Sequence, residues 1–393
     1  MTIRSSFRFP PGARVIHVGP HKTGTTSLQR ALHAGRDAVA AHGLHYAGPT
    51  SQPIDEVLSM LAVENPKPPF GAPANDRPWR RLVKEVREQG DRTVLVSSEF
   101  FADAREAAVR RAVAELGGES PYVLVTLRPL ARIMPSQWQQ YVQNGLKSGY
   151  VKWLRAMLRE AETTTLTPSF WQRHRHDRLV ARWAEVVGPE RVVVVALDES
   201  DPDQLLRDVE RLFSLPAGTL ESPVSDNRSL TWPEIELIRQ FNRQFAKSGL
   251  PRSVHHHAIR FGTARYLQQR TPAPDEPRLL TPRWAAREAA DLGARMAESI
   301  TASGVHVVGD LASLGAMPTS GLRRKGEGPP DASLPPELGA AALMGLVHAS
   351  GLPEVVGHGK VHGSIIGAQP VPTKGFARAA WRRTRDRVRR MVR

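Results

Sequence analysis

The stretch Val15 to Gln29, V-I-H-V-G-P-H-K-T-G-T-T-S-L-Q, constrains this chain more than any other. Val15, Ile16 and Val18 form a short β-branched run, Gly19 and Pro20 break it, and Leu28, Ala31 and Leu32 recur at helical spacing, which predicts strand, loop, helix. In the loop Lys22, Thr23, Gly24, Thr25 and Thr26 bring an ammonium, hydroxyls and backbone N–H groups to a helix N-terminus. Unpaired donors and the helix dipole there favour an anion, most naturally a phosphate. Gly19 and Gly24 fit G-x-x-x-x-G, but Thr25 follows the second glycine and Lys22 precedes it, so this is not the standard ATP loop, which continues with Lys and then Ser or Thr.

The segment resembles the 5′-phosphosulfate-binding loop of the sulfotransferases, written P-K-[ST]-G-T-T in that family and H-K-T-G-T-T-S-L-Q in many bacterial members. The resemblance implies 3′-phosphoadenosine 5′-phosphosulfate as donor, with Lys22 on the phosphosulfate bridge and Thr23, Gly24, Thr25, Thr26 and Ser27 around the 5′-phosphate. On the residues alone, a Gly/Thr turn opening an ordinary helix remains the alternative.

Further along, strands and helices alternate. Pro53–Val63 is predicted as a short helix, Asn65–Pro78 as a proline-rich loop, and Trp79–Gln89 as a helix. Thr93–Ser97 reads as a second buried strand with Ser98, Glu99, Phe100 and Phe101 at its exit, and Ala104–Leu116 as the helix that follows. Because open α/β sheets bind ligands beyond the carboxyl ends of their strands, Glu99 is expected beside the first loop. A carboxylate there suits removal of a proton from an acceptor hydroxyl. S-S-E-F-F resembles the segment where bacterial sulfotransferases carry a Glu after the second strand. The other readings of Glu99, a cap for the next helix or a partner for Arg105, stay open.

Pro121–Leu127 is the third predicted strand, ending in Arg128 and Pro129, with Arg132, Ser136 and Trp138 on a helix that Pro129 and Pro135 bend or restart. A guanidinium and a hydroxyl eight residues apart suit one phosphate. The run resembles the family's 3′-phosphate motif, R-[DN]-P-x-x-R-x-x-S-x-[YW], without its Asp or Asn; the resemblance implies that Arg128 and Ser136 hold the donor's 3′-phosphate. Tyr150–Ala161, with Trp153, Leu154, Met157 and Leu158, is expected to pack as core. Phe170–Val187 is predicted as one helix, Arg191–Leu197 as a fourth strand and Pro202–Phe213 as a helix. Asn227 to Leu230, N-R-S-L, resembles a bacterial sulfotransferase segment preceding a helix, here Trp232–Lys247, with Asp226 or Ser229 as its cap. His255, His256 and His257 are read as loop without a shared metal. Thr281–Ser303 reads as a helix and Val305–Val308 as a short final strand.

Taken together, these elements predict an α/β, P-loop-like, mostly parallel sheet flanked by helices, with a basic C-terminal extension. The expected divisions are an N-terminal extension 1–12, a sulfotransferase-like domain 13–315, a Pro/Gly-rich linker 316–336 and a helical basic tail 337–393. Of the formal net charge of +15, residues Ala316–Arg393 carry +8. Arg323, Arg324 and Lys325, followed by Gly326, resemble a 3′-phosphate-contacting loop of cytosolic sulfotransferases, though solvated linker is the favoured reading. Phe376–Arg393 is expected to form a basic helix suited to an anionic membrane or acidic polymer, or packed on the domain. The 393 residues contain no cysteine, which removes disulfides, zinc–thiolate sites and cysteine nucleophiles. No apolar run approaches membrane-spanning length, and a cytoplasmic protein is expected.

The function this implies is transfer of a sulfuryl group from 3′-phosphoadenosine 5′-phosphosulfate (PAPS) to a hydroxyl, by analogy that of a carbohydrate or glycolipid, with Lys22 and Glu99 catalytic, no metal required and no nucleic-acid partner. A nucleotide-dependent kinase and a non-catalytic anionic-polymer binder with a degenerate fold are the rivals.

Overall fold

A computed structural model describes residues 6–63, 75–118, 121–222, 228–324 and 333–350. Most of the predicted Asn65–Pro78 loop, the Asp226 cap, Lys325 and the Phe376–Arg393 helix lie outside them.

Six strands form one parallel sheet: β1 Arg14–Val18, β2 Leu44–Tyr46, β3 Thr93–Ser97, β4 Pro121–Leu127, β5 Val192–Ala196 and, after the short β6 Thr281–Pro282, β7 His306–Val308. Their order is β2-β3-β1-β4-β5-β7, and every pairing is parallel. The near-continuous valine runs suit such strands, which are buried on both faces. Side chains alternate. Ile16, Val18, Val94, Val96, Val123, Val125, Val192 and Val194 pack on one face, beneath helices Ile54–Val63, Arg77–Arg87, Glu106–Leu116 and His176–Val187. Val15, Leu95, Leu124, Val193 and Val195 pack on the other, beneath helices Thr25–Ala34, Arg36–Ala41 and Gln204–Leu212. A third core is built mainly from helices. It joins Leu130–Gln143, Tyr150–Arg159, Trp232–Phe245 and part of Arg283–Ala302 around the fully buried Trp138, Trp153 and Phe170.

From β1 the chain moves out to β2 and β3 on one side and returns to β4 on the other. The carboxyl end of β1 is therefore the topological switch point, where the crevice of an open sheet forms.

Several expectations need correction. The three-residue edge strand β2 was not expected; it is too short to show a period. Phe170–Val187 is two helices, Ser169–His174 and His176–Val187, broken at Arg175, whose guanidinium pairs with Asp177. His255–His257 are not loop: Arg252–His256 is helical and continues as a π-turn, His257–Thr263, with His255 bonded to Asn242 and His257 to the Ala349 carbonyl. The helix expected from Thr281 starts at Arg283, because Thr281–Pro282 pairs with a two-residue strand β8, Leu322–Arg323. Helix Pro336–Ala349 packs on the π-turn, where Gly262 and Gly345 meet too closely for a Cβ on either. Pro129 precedes the helix Leu130–Gln143, and that helix runs through Pro135 without restarting. Among the described residues no helix is long and apolar enough to cross a membrane.

Candidate functional site

The loop after β1 is locked from beneath. A Cβ on Gly19 would lie 1.9 Å from Thr25 Cγ2 and 2.9 Å from Thr126 Oγ1, so only glycine lets strand and helix approach this closely. The fully buried Thr23 hydroxyl donates to the Pro20 carbonyl at 2.7 Å and lies 2.9 Å from Thr126 Oγ1. Thr126 Oγ1 is 3.3 Å from His17 Nε2, His17 Nδ1 is 2.7 Å from Ser97 Oγ, and Gln29 Nε2 donates to that oxygen at 3.2 Å. Burial pushes His17 down to about 3, so the imidazole is neutral. With its proton on Nε2 every hydroxyl in the chain donates once, from Gln29 through Ser97, His17, Thr126 and Thr23 to Pro20. Residues from β1, β3 and β4 thus set the loop's shape.

The opposite side of the loop is short of partners. Lys22 and Gly24 hold φ of 72° and 79°, a left-handed backbone that is unusual for lysine. Gly24 precedes the helix Thr25–Ala34, whose first turn has neither a side-chain cap nor an acidic residue. Its leading N–H groups therefore face the crevice with the positive end of the helix dipole. Thr26 and Ser27 are exposed, whereas Thr25 is buried against Gly19. Lys22 is half-buried, and its ammonium has no ion pair among the described residues. Burial depresses its pKa, Arg260 and Arg128 add to that, and the Glu99 charge opposes it.

Glu99 leaves β3 on a single 3-10 turn, Glu99–Asp103, capped by Ser98, which accepts from the Phe100 N–H. Its carboxylate lies 2.8 Å from His21 Nδ1, neither capping the next helix nor paired with Arg105. Burial alone would raise its pKa, but the His21 charge and hydrogen bond, Lys22 and Arg173 hold it down to about 2. Arg173 is itself clamped by both oxygens of Asp103.

Arg128, at the end of β4, donates to the Lys22 carbonyl at 3.4 Å and to both oxygens of Glu199 from the β5 exit. A cavity of about 280 Å³ lies here, lined by Gly24, Ser27, Arg128, Leu197, Asp198 and Glu199 among others. Ser136 does not line it; its hydroxyl, on the helix Leu130–Gln143, donates to the Ile133 carbonyl. The structure thus joins Lys22, Gly24, Ser27, Glu99 and Arg128 at one sheet end, and Ser136 is not among the residues lining the Arg128 cavity.

Sequence reasoning missed His21, Glu199, Arg173 and Arg260. The strand-end rule that placed Glu99 applies equally to Glu199. Arg260 arrives from the π-turn more than 230 residues away, and no local pattern announces it.

No protein-family profile matches this sequence, and no curated protein does. Among solved structures the chain is similar to the crystal structure of a sulfotransferase from Alicyclobacillus acidocaldarius, with 18% identity and a TM-score of 0.40 over 63% of this chain and 95% of that one.

Proposed function

We propose that this protein is a sulfotransferase that binds PAPS across the carboxyl ends of β1 and β4 and transfers its sulfuryl group to a hydroxyl acceptor. The observation that carries the reading is the unpaired, half-buried Lys22 ammonium. It sits between an uncapped helix N-terminus and Arg128 on one side and a carboxylate–imidazole pair on the other. An anionic donor supplies the charge this lysine lacks, and the acid–base pair stands where an acceptor proton must go. In this scheme N–H groups from Thr25 to Ser27 hold the 5′-phosphate, Lys22 stabilises charge on the bridging oxygen, and Arg128 takes the 3′-phosphate after exchanging Glu199 for it. Thr23 contributes through its backbone, since its hydroxyl is bonded to Pro20. Ser136 reaches the 3′-phosphate only if its side chain turns away from Ile133. By family analogy alone, the acceptor is a carbohydrate or glycolipid hydroxyl.

The kinase rival requires an acidic Mg²⁺ site, and three carboxylates do line the cavity. Each has a partner: Asp198 binds Ser200, Glu199 binds Arg128 and Asp201 binds Arg207. Calorimetric titration with 3′-phosphoadenosine 5′-phosphate (PAP) in the absence of Mg²⁺ separates the readings. Wild type is expected to bind, and Lys22→Ala and Arg128→Ala each to weaken binding at least tenfold. Mg²⁺-dependent ATP binding without PAP binding would instead establish the kinase.

A further inference from the structure

Glu99 is poorly suited to take the acceptor proton itself. Its nearer oxygen already engages His21 Nδ1 at 2.8 Å, and that hydrogen bond, with Lys22 and Arg173 nearby, favours the ionised carboxylate, so its affinity for a proton is low. The other nitrogen of His21 is different: Nε2 is buried and has no hydrogen-bond partner. A buried polar atom left unpaired costs about 1–3 kcal/mol, and such atoms commonly mark a functional position. Nδ1–H donating to Glu99 fixes the tautomer that leaves the Nε2 lone pair free.

Resting on the sulfotransferase reading, we propose that His21 Nε2 is the catalytic base and that Glu99 is its positioning residue. As the acceptor oxygen bonds to sulfur, its proton passes to Nε2, and the bond from sulfur to the bridging oxygen breaks. The electron pair leaves on the 5′-phosphate of PAP beside Lys22, the next residue in the loop. Glu99 remains ionised and stabilises the imidazolium. The groups facing His21 allow this. Phe100 meets the ring edge-on with centroids 5.4 Å apart, and Lys22 adjoins it in the loop. His174 and Arg173, from the helix Ser169–His174, lie within electrostatic reach of the pair. His174 is neutral, because burial lowers its pKa far below the usual range, and Arg173 is neutralised by Asp103. No second anion competes with Glu99 for the imidazole among the described residues.

The test uses the full-length chain with PAPS as donor and water as acceptor, following sulfate release from pH 5 to 9, with PAP affinity measured in parallel. Wild-type hydrolysis is expected to rise with pH through one ionisation and level off. His21→Gln and His21→Asn should lose about 100-fold or more, the usual contribution of a general base, and lose the pH dependence. Glu99→Gln should lose about tenfold while keeping a pH dependence, because the ring loses the carboxylate that orients it but Nε2 still takes the proton. PAP affinity should stay within about threefold in all three variants, which also reports their folding. Equal rates for wild type and His21→Gln, including both at the uncatalysed background, would overturn the base while leaving donor binding intact. So would a pH dependence that survives in His21→Gln and vanishes in Glu99→Gln. Failure of wild type to bind PAP would overturn the sulfotransferase reading, and this assignment with it.

Discussion

At Gly19 a methyl group has nowhere to go. It would run into Thr25 Cγ2, a β-branched side chain held in the first turn of a helix, so Gly19→Ala is expected to destabilise by about 1–3 kcal/mol in a denaturant titration. Lys22 has the opposite problem. It holds an αL backbone, at a cost of about 1–2 kcal/mol, and keeps a half-buried ammonium without an ion pair among the described residues. Lys22→Gly relieves both and should raise stability by about 1 kcal/mol while binding PAP less well than wild type. A destabilised Lys22→Gly variant would mean that this lysine makes stabilising contacts in the unliganded protein and that the strain is not held for the ligand.

On the scale of single elements, the helix Trp232–Phe245 shows how a start signal is hidden by a better one. Asp226 and Ser229 are good capping residues, yet the cap is Thr231, in a capping box with Glu234. Glu234 has no exposed surface, and its carboxylate also receives Arg228 and Arg270. Arg228 therefore ties the segment before the helix to the one after Leu267, whose carbonyl it also binds. Glu234→Ala leaves the Arg228 guanidinium without a carboxylate, while Arg270 keeps Glu276, and should cost about 3 kcal/mol, measurable by urea unfolding, without a direct effect on nucleotide affinity.

For the molecule as a whole, the buried histidines set its response to acid. Burial holds His17 at about 3 and His176 at about 4, and it holds His174 far below the usual range. All three ionise near 6.5 once unfolded. From about pH 6.5 down to pH 4 the unfolded chain thus binds protons that the folded chain refuses, so stability falls as pH falls. Each site contributes about 1.4 kcal/mol per pH unit, and the three together about 4 toward the lower end of that window. Urea midpoints at pH 7, 6 and 5 should drop steeply, and His176→Gln should remove about a third of the slope. A flat profile over that range would show that these imidazoles are hydrated or paired in the native state.

The valine-rich strands, the helical periods and the order of the motifs were all legible in the sequence, because each is a local pattern of two to four residues repeated. So was the loop itself, with Lys22 and Gly24 between β1 and the helix that Thr25 opens. The strand-end rule brought Glu99 to that loop. Tertiary structure alone decided what those groups touch. Glu99 meets His21 rather than Arg105 because β3 lies beside β1 in the sheet, and Arg128 meets Glu199 because β4 lies beside β5. Arg260 approaches Lys22 from a π-turn in the helical layer. Hydrophobic periodicity specifies which face of an element is buried, but it carries no record of which polar atoms are left without a partner once the elements pack. At this site that second property separates a carboxylate that orients from an imidazole free to take a proton.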